Sequence, residues 1–406
     1  MSTARLAWQY LWARPLATAL NLLLLTLGLG AVTLVMLVQA QLGRAFERDL
    51  AGIDAVVGAK GSPLQLILAG VFHLDVPPGN IPLRAVELLA RDARVAQLIP
   101  LSLGDSYRGW RIVGTTADYV AHYGAQAAAG RLWQAPLEAV LGAQVAQATG
   151  LQPGQSFAGS HGLGEGADGG HADHPYRVVG VLAPCGCVLD RLILTATESV
   201  WQVHEAAHGA GAKHHAEGHV AGDDDEREVT VALVRYRSPL AAATFPRFVN
   251  GSTTLQAAAP ALEISRLLRM VGVGADVLRG FAAVLLLTAG LSVFIALWSA
   301  VRERRADLAL LRLLGAPPAR VAALLLAEAL WLALLAALLG LALGHGLTGL
   351  LGYLLAAQAS LPLAAAGLLP QELAVPLLAL AVAVLAALLP AWEAYRSDAL
   401  TLLNTR

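Results

Sequence analysis

Four apolar runs, at about 15–38, 275–300, 320–356 and 372–392, limit what this chain of 406 residues can become. Each reaches the roughly 20 helical residues needed to cross a hydrocarbon core of about 30 Å. In such a core a helix satisfies its own backbone within one segment. The chain is therefore read as an α-helical membrane protein with four transmembrane helices. Composition agrees, since hydrophobic residues make up 56% and charged ones 14%, with a mean hydropathy of +0.59. Both values lie far from the soluble-globular average. The first run is also too long for the apolar core of a cleaved signal peptide, which spans about 7 to 15 residues.

Arginine sets the orientation. Arg5 and Arg14 precede the first run, Arg302, Arg304, Arg305, Arg312 and Arg320 lie between the second and third, and Arg396 and Arg406 follow the fourth. The stretch 357–371 has neither Lys nor Arg. Basic residues accumulate on the cytoplasmic side, so both termini are expected there and the large segment between the first two runs faces outward. In a Gram-negative cell that is the periplasm, with the spans in the inner membrane. The expected organisation is a cytoplasmic segment and helix at 1–42, an outer domain at 43–270, a second helix at 271–300, and a cytoplasmic helix at 301–318. A third helix at 319–356, a periplasmic loop at 357–371, a fourth helix at 372–392 and a tail at 393–406 complete it. Glu328 falls inside the third run, where an ionised group costs about 2.5 to 3.5 kcal/mol, so it should face protein or stay protonated. Gly340 and Gly344, four apart, permit close helix approach, within one chain or between two copies.

The outer segment reads as α+β. Helical patterns at 83–91 and 143–149 alternate with strand-like runs at 110–115, 176–182, 191–195 and 229–236. Its length, about 220 residues, is enough to bury a core of its own.

A net charge of -1 gives no basic excess to neutralise phosphate, which argues against nucleic-acid binding. Both lysines, Lys60 and Lys213, follow an alanine, so no G-x-x-x-x-G-K-[ST] phosphate loop exists in this sequence. No cofactor is expected to be covalently bound, and any ATP would be bound by a separate polypeptide.

The cytoplasmic stretch 301–317 reads VRERRADLALLRLLGAP. At helical spacing Ala306, Leu310, Leu313 and Leu314 fall near one face, while Arg302, Arg305, Asp307 and Arg312 spread over the others, as in a helix lying along a membrane surface. The stretch resembles the coupling helix of the MacB/FtsX-like, or type VII, ABC transporter permeases, whose pattern is R-x-R-R-x-D/E-[IL]-x-x-L-R-x-[LI]-G-A. Here it reads Arg302, Arg304, Arg305, Asp307, Leu308, Leu311, Arg312, Leu314, Gly315, Ala316, with Glu303 inside it. The likeness continues to Pro390-Ala391 and Asp398-Ala399-Leu400, and in the outer segment to Leu141-Gly142, Gly150-Leu151 and Gly154. The run from Asp54 to Pro63 resembles a juxtamembrane element of one bacterial subgroup. The resemblance implies a permease subunit that is not itself an enzyme. It would work as a homodimer with a separate ABC ATP-binding subunit, and pass conformational change to its periplasmic domain by mechanotransmission. A periplasmic binding or adaptor protein would be a further partner.

Two inserts interrupt the outer domain. Positions 160–175 carry His161, His171 and His174, and positions 204–225 carry His204, His208, His214, His215 and His219 before Asp223-Asp224-Asp225. Eight of the eleven histidines lie in these stretches, and clustered imidazole and carboxylate suit borderline divalent cations such as zinc. His204-Glu205-x-x-His208-x-x-Gly211-x-x-His214 also satisfies the metzincin signature, although the only downstream methionine is Met270, beside the second span. Two further readings follow: a membrane-tethered metal-binding or sensor protein without an ATPase, and a membrane-anchored zinc protease. Cys185 and Cys187 are the only cysteines. Closing a ring across one residue is geometrically demanding, so metal ligation by thiolates and an intermolecular bridge compete with pairing. Their turn resembles the family's P-x-G-x-x-x-D-R, from Pro184 to Asp190-Arg191.

Overall fold

The computed structural model describes residues 3–161, 174–203, 227–304, 310, 312–356 and 367–396. It divides into two compact units, one of residues 1–44 and 270–406 and one of residues 45–269.

The chain opens with α1 (Thr3–Trp12) and α2 (Pro15–Leu50). Pro15 takes the first helical position, where a missing N–H costs no bond, and the Thr18 hydroxyl donates to the Leu11 carbonyl at 2.5 Å, tying the two helices together. Ala7 and Leu11 are buried while Trp8 and Trp12 are exposed, an amphipathic pattern too short to stand out in the sequence.

The second unit holds β1 (Ala55–Ala59), α3 (Pro63–Gly70), β2 (Ile81–Pro82), α4 (Leu83–Ala90), β3 (Val95–Tyr107) and β4 (Trp110–Thr115). Next come α5 (Ala117–His122), β5 (Ala127–Gly130), β6 (Glu138–Leu141), α6 (Ala143–Thr149), β7 (Ser156–Phe157), β8 (Ser160–His161) and β9 (Tyr176–Leu182). After a 3-10 turn at Val188–Arg191 follow β10 (Ile193–Ala196), β11 (Glu228–Val229), β12 (Val231–Tyr236), α7 (Ala241–Ser252) and β13 (Leu255–Ala258). The main sheet runs β13-β1-β12-β3-β4-β10-β6-β9-β5. It is mixed, with parallel pairs β10·β4 and β6·β9. The strand expected from Arg191 starts instead at Ile193, because Arg191 closes the 3-10 turn.

The run from Asp54 to Pro63 gains a physical role. Ser62 caps α3 and Pro63 begins it, as expected of these residue types. A Cβ on Gly58 would come 2.3 Å from Leu66 Cδ1, so glycine lets α3 rest directly on β1. Among the described residues of this unit, Val57, Ile81, Val86, Ala232, Phe245 and Val249 pack in one core cluster, and Ile112, Leu141, Val145, Phe157, Tyr176 and Ile193 in another.

The first unit is completed by α8 (Pro260–Glu303), which begins in the second unit, by α9 (Pro318–Ala356), by a 3-10 turn at Pro370–Leu373 and by α10 (Ala374–Arg396). With α2 these are the four helices long and apolar enough to cross a membrane among the described residues. Leu25, Leu29, Ala289, Val293, Ala329, Ala336, Ala379 and Ala387 fill their common core. Small residues let α9 and α2 cross closely. A Cβ on Gly340 would meet Leu29 Cβ at 2.7 Å, and one on Gly344 would meet Thr33 Cβ at 2.4 Å. Both glycines thus serve a contact within the chain, between α9 and α2.

Candidate functional site

In the first unit, Arg304 of the 301–318 stretch meets α1 and α9. Arg304, one residue beyond α8, donates from Nη1 to Glu328 Oε1 at 3.1 Å. The side chains are only 13% and 6% exposed. A second guanidinium nitrogen donates to the Tyr10 carbonyl at 3.1 Å, and the same group stands 4.3 Å over the Tyr10 ring. A charge withdrawn from water needs both a counter-charge and further hydrogen bonds, and Arg304 has them from two helices. Beside it Glu303 pairs with Arg14 at the head of α2. Trp331 of α9 donates to the Ala4 carbonyl at 3.1 Å and packs edge-on to Trp8, with ring centroids 5.1 Å apart. Glu303 and Arg304 thus tie the end of α8 to α1, to α9 and to Arg14 just before α2, a relationship that charge spacing alone does not reveal.

The other residues of the stretch are differently placed. Arg302 is exposed and its guanidinium lies 5.6 Å from the Trp298 ring. Glu303 is 61% exposed despite its ion pair. Arg312 and Ala316 are half-buried, and Leu310, Leu313 and Leu314 are exposed at 57, 64 and 83%. Gly315 takes the left-handed φ of +91° that ends the segment before Pro318. A cleft of about 340 Å³ is lined by Leu314, Gly315, Ala316 and Arg320 together with Thr3 and Leu6 of α1. Arg305, Asp307, Leu308 and Leu311 lie outside the described residues.

A second polar cluster lies in the domain, at the last turn of α2. Asp49, 5% exposed, accepts from Val188 N at 2.9 Å and stands 3.6 Å from Arg191 Nη2. Its carbonyl accepts from Tyr123 Oη at 2.8 Å. Arg48 donates to the Gly186 carbonyl. The 3-10 turn that supplies Val188 and Arg191 rests on Gly142, where a Cβ would lie 2.1 Å from the Leu189 oxygen. That accounts for the glycine in Leu141-Gly142. Gly150 closes α6 with a φ of +71°, and Gly154 turns the chain with a φ of +98°. Nearby, His73 Nε2 and Tyr119 Oη lie 3.0 Å apart, both buried. Burial, reinforced by the Arg111 and Arg191 charges, pushes the His73 imidazole well below its ordinary value, so it is neutral; burial raises the Tyr119 phenol. Elsewhere the Arg131 guanidinium holds the Glu138 carboxyl down at about 2.

Cys185 and Cys187 are joined to each other in a disulfide. This corrects the thiolate and intermolecular alternatives: neither sulfur is available as a metal ligand here, and the pair closes within one chain. His161 ends β8 and His174 precedes β9. No group of three or more His, Cys, Asp or Glu that could hold a metal occurs among the described residues. His171, His204, His208, His214, His215 and His219 lie outside them, as does the whole metzincin-like pattern.

A family model described as the FtsX-like permease C-terminal matches residues 279–399. One described as the MacB-like periplasmic core domain matches residues 18–243. No curated protein matches the chain. Among solved structures it is similar to the periplasmic region of MacB from Actinobacillus actinomycetemcomitans, with 11% identity over 54% of this chain and 95% of that one and a TM-score of 0.34. It is also similar to the extracellular domain of the noncanonic ABC-type transporter YknZ from Gram-positive bacteria, with 12% identity over 50% and 98% and a TM-score of 0.29. With four apolar helices and an α+β domain following the first, the chain belongs to the MacB/FtsX-like, type VII, family of ABC transporter permeases.

Proposed function

We propose that the chain is the membrane subunit of an ATP-driven machine in the bacterial inner membrane, with its domain in the periplasm. A separate ATP-binding subunit docks on the 301–318 stretch, and two copies of each subunit form the working unit. Closure of the ATP-binding pair displaces the stretch, and α2 and α8, within which the chain passes from one unit to the other, carry that displacement to the domain. The observation that carries this reading is the burial of Arg304 between Glu328 on α9 and Tyr10 on α1. A push on the cytoplasmic stretch is thereby delivered to the helices through a fixed charge pair. The exposed Leu310, Leu313 and Leu314 supply apolar area for a partner, and Arg302 the charge around it. Co-expression with a separately encoded ATP-binding subunit carrying a Walker A motif tests it. The two should co-purify in equal amounts with ATPase activity; a chain that purifies alone in every such pairing contradicts the proposal.

The histidine-rich stretches support a second element, binding of a divalent cation, zinc being the best match to imidazole. What supports it is the spacing of His204, His208 and His214 in the sequence.

A further inference from the structure

The Cys185–Cys187 bridge stabilises little by its topology. A disulfide constrains the unfolded chain more the longer the loop it closes, with a logarithmic dependence, and this one encloses a single residue, Gly186. Its surroundings give it another role. Gly186 holds the left-handed φ of +63°, and its carbonyl accepts from Arg48, in the last turn of α2. Asp190 secures the same turn, accepting from Cys185 N at 3.0 Å and Gly186 N at 2.7 Å. Val188, which follows Cys187, donates to Asp49. The bridge thus sits in the clasp that grips the end of α2.

We infer that Cys185–Cys187 is a thiol–disulfide exchange site for a dithiol, and that its reduction loosens the clasp on Arg48 and Asp49. The two sulfurs are not equivalent. Cys185 is half-exposed and Cys187 is 7% exposed, so an incoming thiolate reaches Cys185 Sγ. Asp190 Oδ1 lies 3.4 Å from that sulfur, and a carboxylate so close opposes a negative charge on it. The bond therefore breaks with its electron pair going to Cys187 Sγ, in a region where Arg48 and Arg191 supply positive charge. Attack forms a mixed disulfide at Cys185, and the Cys187 thiolate takes a proton. The second thiol of the reductant then attacks its own sulfur in the mixed disulfide and releases Cys185, which is protonated and donates to Asp190. The chain gains two thiols, and the dithiol becomes a disulfide. Freed of the ring, the 185–187 turn no longer holds the Gly186 carbonyl toward Arg48.

The test uses the full-length chain in detergent, with dithiothreitol as the dithiol and peptide-level hydrogen exchange as the readout. Native protein should show no free thiol before treatment and two after it. Exchange in 45–50 should rise about tenfold on reduction, with that of β1 unchanged. A C185S/C187S variant should match the reduced protein and ignore dithiothreitol. A bridge that yields to dithiothreitol only in denaturant overturns the exchange site. Reduction that leaves 45–50 as protected as before overturns the clasp.

Discussion

The Arg304 guanidinium and the Glu328 carboxylate meet at 3.1 Å with both side chains almost wholly withdrawn from the surface. They belong to different helical segments, 24 residues apart, and each is the charge the other requires. Removing one partner strands the other, at a cost of about 3 to 5 kcal/mol for a buried pair. R304M and E328L should therefore each lower the thermal midpoint of the detergent-solubilised chain sharply. The double variant should recover most of the loss, because the apolar pair leaves no charge stranded. Additive losses in the double variant would show that the two side chains act independently.

His73 gives the domain a pH dependence of defined sign. Its folded-state value is depressed while the unfolded chain protonates it at about 6.5, so below that pH the unfolded state holds more protons and stability falls as pH falls. His122, also shifted down by burial, adds in the same direction. At pH 7 and above the contribution is fully present. Between about pH 6 and 5 each unit should remove about 1.4 kcal/mol through His73, and H73Q should flatten that window. Thermal midpoints across it, for the wild type and the variant, decide the matter; parallel curves would contradict it.

How far the sequence revealed this molecule depended on the range of the interactions involved. Hydropathy and arginine placement are properties of contiguous residues, so the four helices and the domain after the first were legible. So was the strand at Tyr176–Leu182, whose buried positions alternate with more exposed ones. Glycines were visible but ambiguous: Gly340 and Gly344 fit an intramolecular or an intermolecular contact, and only Leu29 and Thr33 across the crossing decide between them. The grip of Arg191 on Asp49 spans 142 positions and leaves no periodicity. Nor does the charge pattern of 301–317 distinguish Arg304 from its neighbours, since its burial depends on where α9 places Glu328. Helix α1 leaves little mark in the sequence, because its buried face amounts to Ala7 and Leu11.

The histidine stretches call for a direct binding measurement. Three imidazoles at the spacing of His204, His208 and His214 leave a fourth position open on zinc, and they bind only when neutral, so affinity should decline below about pH 6.5. Calorimetry with zinc on the full chain should show binding that the H204A/H208A/H214A variant loses. Equal binding by that variant would remove these residues from the site, and a peptidase activity abolished by E205A would restore the protease reading.

The most direct test of the account is the ATPase rate of the assembled complex as the 301–318 stretch is altered. Arg305, Asp307 and Arg312 are the charged positions proposed to face the ATP-binding subunit, whereas Arg304 is held inside. In an R305A/D307A/R312A variant the membrane subunit should keep its thermal midpoint, while its stimulation of the partner's ATPase falls about tenfold, equivalent to about 1.4 kcal/mol of barrier. Unchanged association together with unchanged stimulation would contradict the assignment of this stretch as the point where ATP hydrolysis is delivered to the membrane helices.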